Sequence, residues 1–315
     1  MAEYLGALLA GQAPRSQAAA AAHRRARDGL APILEFESAI AEDRKRIVDG
    51  QRNFAFVSGG QADWLDLLRP FAGSFTGFRR GAPVGPVTRW FRTNTFYRKP
   101  SVVGKIGCTG NELAAALPPV EKGAATMLGP YSFSRMVADE FYASPRELAL
   151  GYSAAVAKNL AALGGRGYRC LILSEPCVGY DQSKGGFKAP EWIDECVSLL
   201  KAGGFTLGIH FPLAEACEAL KAFDSAPADF FGIDCIYSEP DGIKTGKGLL
   251  LGVVDGARAK VEGAQEIAAR AAEFVARAEF SGRYYLGCND RLFDVPFGIA
   301  LEKIRRLSEC GGAKG

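Results

Sequence analysis

RWFRTNTFYRKPSVVGKI, residues 89–106, sets polar and basic side chains between bulky aromatics and then turns into an apolar run. Arg92, Asn94, Tyr97, Arg98 and Lys99 fall within one extended piece. Alternation of this kind suits a strand that buries one face and lines a pocket with the other. Outward from it, short apolar runs recur at 53–58, 125–128, 168–173, 205–209, 230–233, 248–254 and 284–287. Each ends in small or polar residues, and most lead into an amphipathic helical stretch. With 89–106 they make eight strand candidates, the count of a (β/α)8 TIM barrel of the α/β class. This reading assigns 51–315 to the barrel and 1–50 to an N-terminal helical extension, where 18–22 and 33–48 have helical spacing. A doubly wound open sheet is the runner-up, but no GxGxxG opens a helix after a strand, as a dinucleotide site would require.

Composition narrows the function. The 315 residues are 48% hydrophobic and 23% charged, with 38 basic against 35 acidic side chains. A near-balanced charge supplies no broad basic field for nucleic acid or a membrane surface. The cluster Arg24, Arg25, Arg27, Arg44, Lys45 and Arg46 is interleaved with acids and reads as a solvated helix face. No apolar run reaches the ~18–20 residues of a membrane helix. The opening MAEYLGALLAGQAPRSQ lacks the basic leader of a signal peptide. Eight cysteines without a CxxC pair fit reduced thiols, as in a cytoplasmic enzyme.

In a barrel of this kind the active site lies at the C-terminal ends of the strands. Ser58, Gln61, Asn94, Tyr97, Tyr131, Ser132, Glu175, His210, Asp234, Asp255 and Asp290 all end or follow the apolar runs, so they should converge on one mouth. Of the two histidines, His23 falls among the helices, leaving His210 at a strand end. A Ser-His-Asp triad is possible on paper, but no GxSxG elbow accompanies it. A histidine ending an apolar strand is by itself most often a structural hydrogen bonder. Glu175 or Asp234 would suit an acid or base. The loop GYDQSKGGFKAP, 179–190, reads either as a mobile lid or as an ordinary surface loop.

Several of these segments together, in order, resemble the cobalamin-independent methionine synthase family in its short single-barrel form. IAEDRKRIVDGQRNFAFVSGGQADWLDLLRPF looks like the helix and first strand of that family, RWFRTNTFYRKPSVVGKI like its second strand and MLGPYSFSRM like its third. ILSEP is similar to the DEP motif after strand four, and LLLGVVDGARAKVEG to strand seven. The resemblance spans about residues 37–307 and implies transfer of a methyl group from a methylated pterin (folate-like) or methylcorrinoid donor to a thiol such as homocysteine. It also implies a zinc ion that turns the acceptor sulfur into a thiolate.

At the implied zinc positions, His210 keeps the histidine, Pro212 replaces a cysteine, Asp234 replaces a glutamate and Asp290 replaces the last cysteine, with Cys288 two residues earlier. The resemblance therefore leaves His210, Asp234, Cys288 and Asp290 as the candidate metal set, an oxygen-rich one less suited to zinc-thiolate chemistry. The carboxylates implied for the amino-acid ammonium are also replaced, by Gln61 and Ser174, leaving Glu175. The reading assigns catalysis to His210, Asp234, Asp290 and Glu175, and substrate contacts to Ser58, Gln61, Asn94, Tyr97, Arg98, Tyr131 and Ser132. The alternative is a metal-free paralogue that holds the methyl donor and partners a second, zinc-bearing methionine synthase-like barrel.

Overall fold

Runs that are apolar on both faces can only be buried on both, and here they form the wall of a closed barrel. A computed structural model describes residues 2–81, 85–91, 96–185 and 187–310. Its eight parallel barrel strands are β1 (Glu3–Leu8), β2 (Phe54–Phe56), β3 (Gly123–Leu128), β4 (Tyr168–Ser174), β5 (Thr206–His210), β6 (Phe230–Asp234), β7 (Gly248–Val254) and β8 (Arg283–Cys288). They pair in the order β2-β1-β8-β7-β6-β5-β4-β3. The ring closes where Val57 N donates to Lys122 O at 2.9 Å and Ala124 N donates to Val57 O at 2.8 Å.

Side chains alternate across this wall. Leu8, Ala124, Cys170, Ile172, Phe230, Leu250 and Tyr285 pack together inside the barrel, with the Phe230 and Tyr285 rings 5.1 Å apart. Their strand neighbours, such as Leu171, Leu173, Leu249 and Leu251, join the larger core between barrel and helices. The lumen is thus filled with side chains rather than open, and chemistry is confined to the ends.

Two expectations are corrected. The stretch 89–106 is no barrel strand. Val87–Arg89 pairs antiparallel with Phe96–Arg98 as a hairpin, whereas Ser101–Gly107 joins Thr76–Phe78 and Ala138–Asp139 in a small outer sheet. Pro100 separates the two pieces, and a residue without an N–H cannot carry one ladder through both. The missing barrel strand comes from Glu3–Leu8, inside the region read as helical, and its register is irregular between Tyr4 and Ala7. Helices do follow, at Gln17–Arg27 and Ile33–Asp49. The first is capped by Ser16, whose Oγ accepts from Ala19 N at 3.1 Å, while Ser16 N donates to Asp43 Oδ2 at 2.8 Å and ties the two helices together.

The hairpin lies over the barrel mouth. Its Trp90 and Tyr97 are buried with their rings 5.9 Å apart, and the guanidinium of Arg291, just past β8, lies 4.2 Å over Trp90. Among the described residues no helix is long and apolar enough to cross a membrane.

Candidate active site

The alternation that fills the lumen also decides which strand-end residues face the mouth. On β5 and β6, His210 and Asp234 each close a strand and are almost wholly buried. Past β8 the residue that reaches them is Asn289. Its carbonyl oxygen lies 3.0 Å from His210 Nε2, and its Nδ2 donates to Asp234 Oδ2 at 3.1 Å. A carbonyl can only accept, so His210 carries its proton on Nε2. Asn289 Oδ1 accepts from Gly256 N at 2.8 Å, which fastens the loop after β7 to the same group. Burial pushes the His210 imidazole down to about 4, against a weaker opposing pull from the Asn289 carbonyl, so the ring is neutral at ordinary pH.

Asp234 is held by donors alone. Oδ1 accepts from Ile236 N at 2.8 Å and Tyr237 N at 3.1 Å, and Oδ2 from Asn289. Burial raises its pKa, and these bonds work against that rise. Cys288 turns the other way, into the core between barrel and helices, and burial pushes its thiol up to about 12. Asp290 accepts from Arg291 N at 2.7 Å, and burial pushes its carboxyl up to about 6.

The metal set expected from the sequence is therefore dispersed among other duties. Among the described residues no three His, Cys, Asp or Glu side chains are grouped to hold a metal ion. His210 Nε2 and both Asp234 oxygens are already bonded, Cys288 faces the helices, and Pro212 has no ligating atom. This donor set does not fit a zinc-thiolate centre.

The remaining candidates lie on the β2–β4 side and hold backbone. Gln61 Nε2 donates to Thr126 O and Gln61 Oε1 accepts from Thr126 N, both at 2.8 Å, so the amide clamps β3. Ser58 N donates to Gln51 Oε1 at 2.8 Å, and Ser58 Oγ accepts from Gly60 N at 3.1 Å. Glu175 accepts from Tyr131 N at 3.0 Å and Ser132 N at 2.7 Å, at the start of the helix Pro130–Met136. A side chain on Gly129 would meet the Glu175 carboxylate at 2.1 Å, so only glycine permits this approach. Burial raises the Glu175 carboxyl to about 7, although Ser132 and Tyr131 pull the other way. Ser132 Oγ accepts from Cys177 N at 3.0 Å, and the Tyr131 hydroxyl donates to Asp181. Tyr97 and Arg98 sit on the hairpin, where Arg98 donates to Gly85 O at 3.0 Å. Arg92 and Asn94 lie outside the described residues.

A cavity of about 360 Å³ opens at the mouth beside Asp234. Its walls come from the hairpin (Phe91), the helix after β4 (Gly179, Tyr180), the loop after β5 (Leu213–Glu215) and the loop after β6 (Tyr237, Ser238). The Phe91 and Tyr180 rings are 5.5 Å apart. Four non-glycine residues among those described have positive φ, and two of them, Phe91 (47°) and Leu213 (65°), line this cavity. Backbone held in that region costs on the order of 1 kcal/mol or more and gathers at functional sites.

Asn289, Phe91, Tyr180 and Tyr237 are not among the site residues the sequence suggests, although Phe91 lies in the pocket-lining stretch 89–106 and Tyr180 in the loop 179–190. Asn289 was within reach, since Tyr285 and Gly287 precede it on the inward face at spacing two. The aromatic walls stand on connections and carried no strand-end signal.

No family model and no curated protein matches the sequence. Solved structures do. A B12-independent methionine synthase from Shewanella sp. W3-18-1, in complex with selenomethionine, matches with a TM-score of 0.73 and 15% identity over 98% of this chain and 96% of its own. A putative vitamin-B12 independent methionine synthase from Listeria monocytogenes gives 0.65 and 16%, covering 96% and 95%. A methyltransferase from Methanosarcina mazei gives 0.58 and 10%, covering 96% and 93%. At such identities the likeness establishes a shared fold along nearly the whole of each chain.

Proposed function

We propose that this chain is a cytoplasmic methyltransferase of the cobalamin-independent methionine synthase type. It would move a methyl group from a methylated pterin (folate-like) or methylcorrinoid donor to a thiol such as homocysteine. The observation that carries this reading is the end-to-end match to methionine synthase barrels, together with a cavity at the strand ends where such barrels do chemistry. On this reading Asp234 and the neutral His210 orient what enters the mouth, through Asn289, and Glu175 braces the opposite wall.

Pro212 and the engaged Nε2 of His210 favour a second reading, a metal-free paralogue that holds the donor and partners a zinc-bearing barrel. One experiment separates the two. The purified chain is incubated with homocysteine and either methylcobalamin or a methylated pterin, alone and with a zinc-bearing methionine synthase barrel, and methionine is measured by mass spectrometry. Methionine from the chain alone supports the first reading. Methionine in excess of the second barrel's own rate, seen only with both present, supports the second. No methionine above those backgrounds overturns both. Elemental analysis after growth with zinc should find well under one zinc per chain, and a full equivalent lost in His210→Ala would show that these residues do assemble a metal site.

A further inference from the structure

We infer that the mouth cavity binds a methylated onium group, a quaternary ammonium or a sulfonium, between Phe91, Tyr180, Tyr237 and Asp234. Three observations converge. The cavity presents three aromatic side chains, whose ring faces attract a diffuse cation. Its charged lining residues, Asp234 and Glu215, are both acidic, and no basic side chain lines it among the described residues. A concave wall of one sign focuses its field on the space inside.

The third observation concerns Asp234. Its hydrogen bonds come from two backbone N–H groups and the Asn289 amide, which favour the ionised form against the burial that raises its pKa. Yet among the described residues no basic side chain forms an ion pair with it, although it is 1% exposed. Buried charges are ordinarily paired. A cation entering the cavity would supply the partner. Two of the rings already carry a basic group from outside the cavity, Lys184 5.4 Å over Tyr180 and Arg258 5.8 Å over Tyr237, and neither basic group lines the cavity itself.

The aromatic character selects among cations. A primary ammonium is compact, strongly hydrated and needs acceptors for three N–H bonds. Asp234 already receives three bonds and has little capacity left for them. A methylated onium needs no hydrogen bonds and gains from ring faces. Only the place of such a ligand in methyl transfer rests on the reading above; the selection of a methylated onium by this cavity does not.

Titration calorimetry of the intact chain with three probes tests this. Choline should bind at least about tenfold more tightly than its neutral analogue, in which a quaternary carbon replaces nitrogen, and more tightly than ethanolamine. Tyr237→Leu should weaken choline about five- to tenfold and leave the neutral analogue unchanged. Tyr237 is 60% exposed on the rim, so the fold should tolerate the change, whereas Asp234→Asn tests the charge at some risk to the buried network. Equal affinity for choline and its neutral analogue, tighter binding of ethanolamine, or no choline binding would each overturn the inference. Choline binding without methyl transfer would remove only the proposed function, and methyl transfer without choline binding would remove only this inference.

Discussion

The two halves of the barrel mouth use similar residues in opposite ways. Over β1 to β4, polar side chains at the strand ends are consumed by backbone: Gln12 donates to Trp64 O, Gln61 clamps both backbone groups of Thr126, and Glu175 caps a helix. Over β5 to β8, the backbone carbonyl of Asn289 meets the His210 ring and its side-chain amide meets Asp234, which has no ion partner among the described residues and borders an open cavity. A strand-end position is therefore only an address. Whether a polar group there is a brace or a binding group depends on which of its bonds are already made, and only packing settles that.

The largest expected effect strikes the foundation of the second half. Lys303 is fully buried and donates to Lys260 O and, at 2.8 Å, to Glu262 Oε2, while Glu262 Oε1 accepts from Asp255 N at 2.9 Å. Lys303→Met leaves Glu262 charged and unpaired in the interior. It should cost roughly 3–5 kcal/mol in chemical denaturation, and the double variant with Glu262→Leu should recover most of the loss. If the single variant is neutral, the loop after β7 is not held by this pair.

Next comes the opposite half. Gln61→Ala strands a buried N–H and a buried carbonyl of Thr126 and should cost roughly 2–4 kcal/mol. Ligand affinity at the cavity should stay within about twofold under conditions where the variant is folded, because the clamp lies on the other side of the mouth. A loss of binding as large as that in Tyr237→Leu would erase the contrast between the halves.

Much of this was legible in the sequence, for reasons that also explain what was not. Runs such as CLIL at 170–173 and GLLLGVV at 248–254 are apolar on both faces, which few environments other than a covered parallel sheet can satisfy. Glu3–Leu8 is short and irregular in register, and its Ala- and Leu-rich continuation reads as helix by propensity. The alternation in 89–106 was genuine, but two partners produced it: the barrel mouth under Trp90 and Tyr97, and the outer sheet for Ser101–Gly107. His210 and Asp234 were found because they end strands. The residue that joins them, Asn289, stands between Cys288 and Asp290, which carry the more conspicuous chemistry.

The smallest predicted effect sets the two halves against each other by titration. His210, in the cavity half, has its pKa lowered to about 4, so an unfolded chain takes up a proton near 6.5 that the folded one refuses. Its contribution to stability is present above 6.5 and is lost as pH falls toward 4. Glu175, in the braced half, has its pKa raised to about 7, so the folded chain keeps a proton that the unfolded one releases near 4.5. Its contribution is present below 4.5 and is lost as pH rises through 7. Between about pH 4.5 and 6.5 the two slopes oppose each other, while Asp290, pushed up to about 6, adds to the slope of Glu175 over the lower part of that window. Each single variant uncovers the other group: relative to the parent, His210→Gln should lose stability as pH rises across that window, and Glu175→Gln as it falls, each by on the order of 2 kcal/mol. Urea midpoints measured at several pH values would show it. Parallel curves for parent and both variants would mean that neither group is as dry as its packing implies, and the neutral imidazole beside Asp234 would have to be given up.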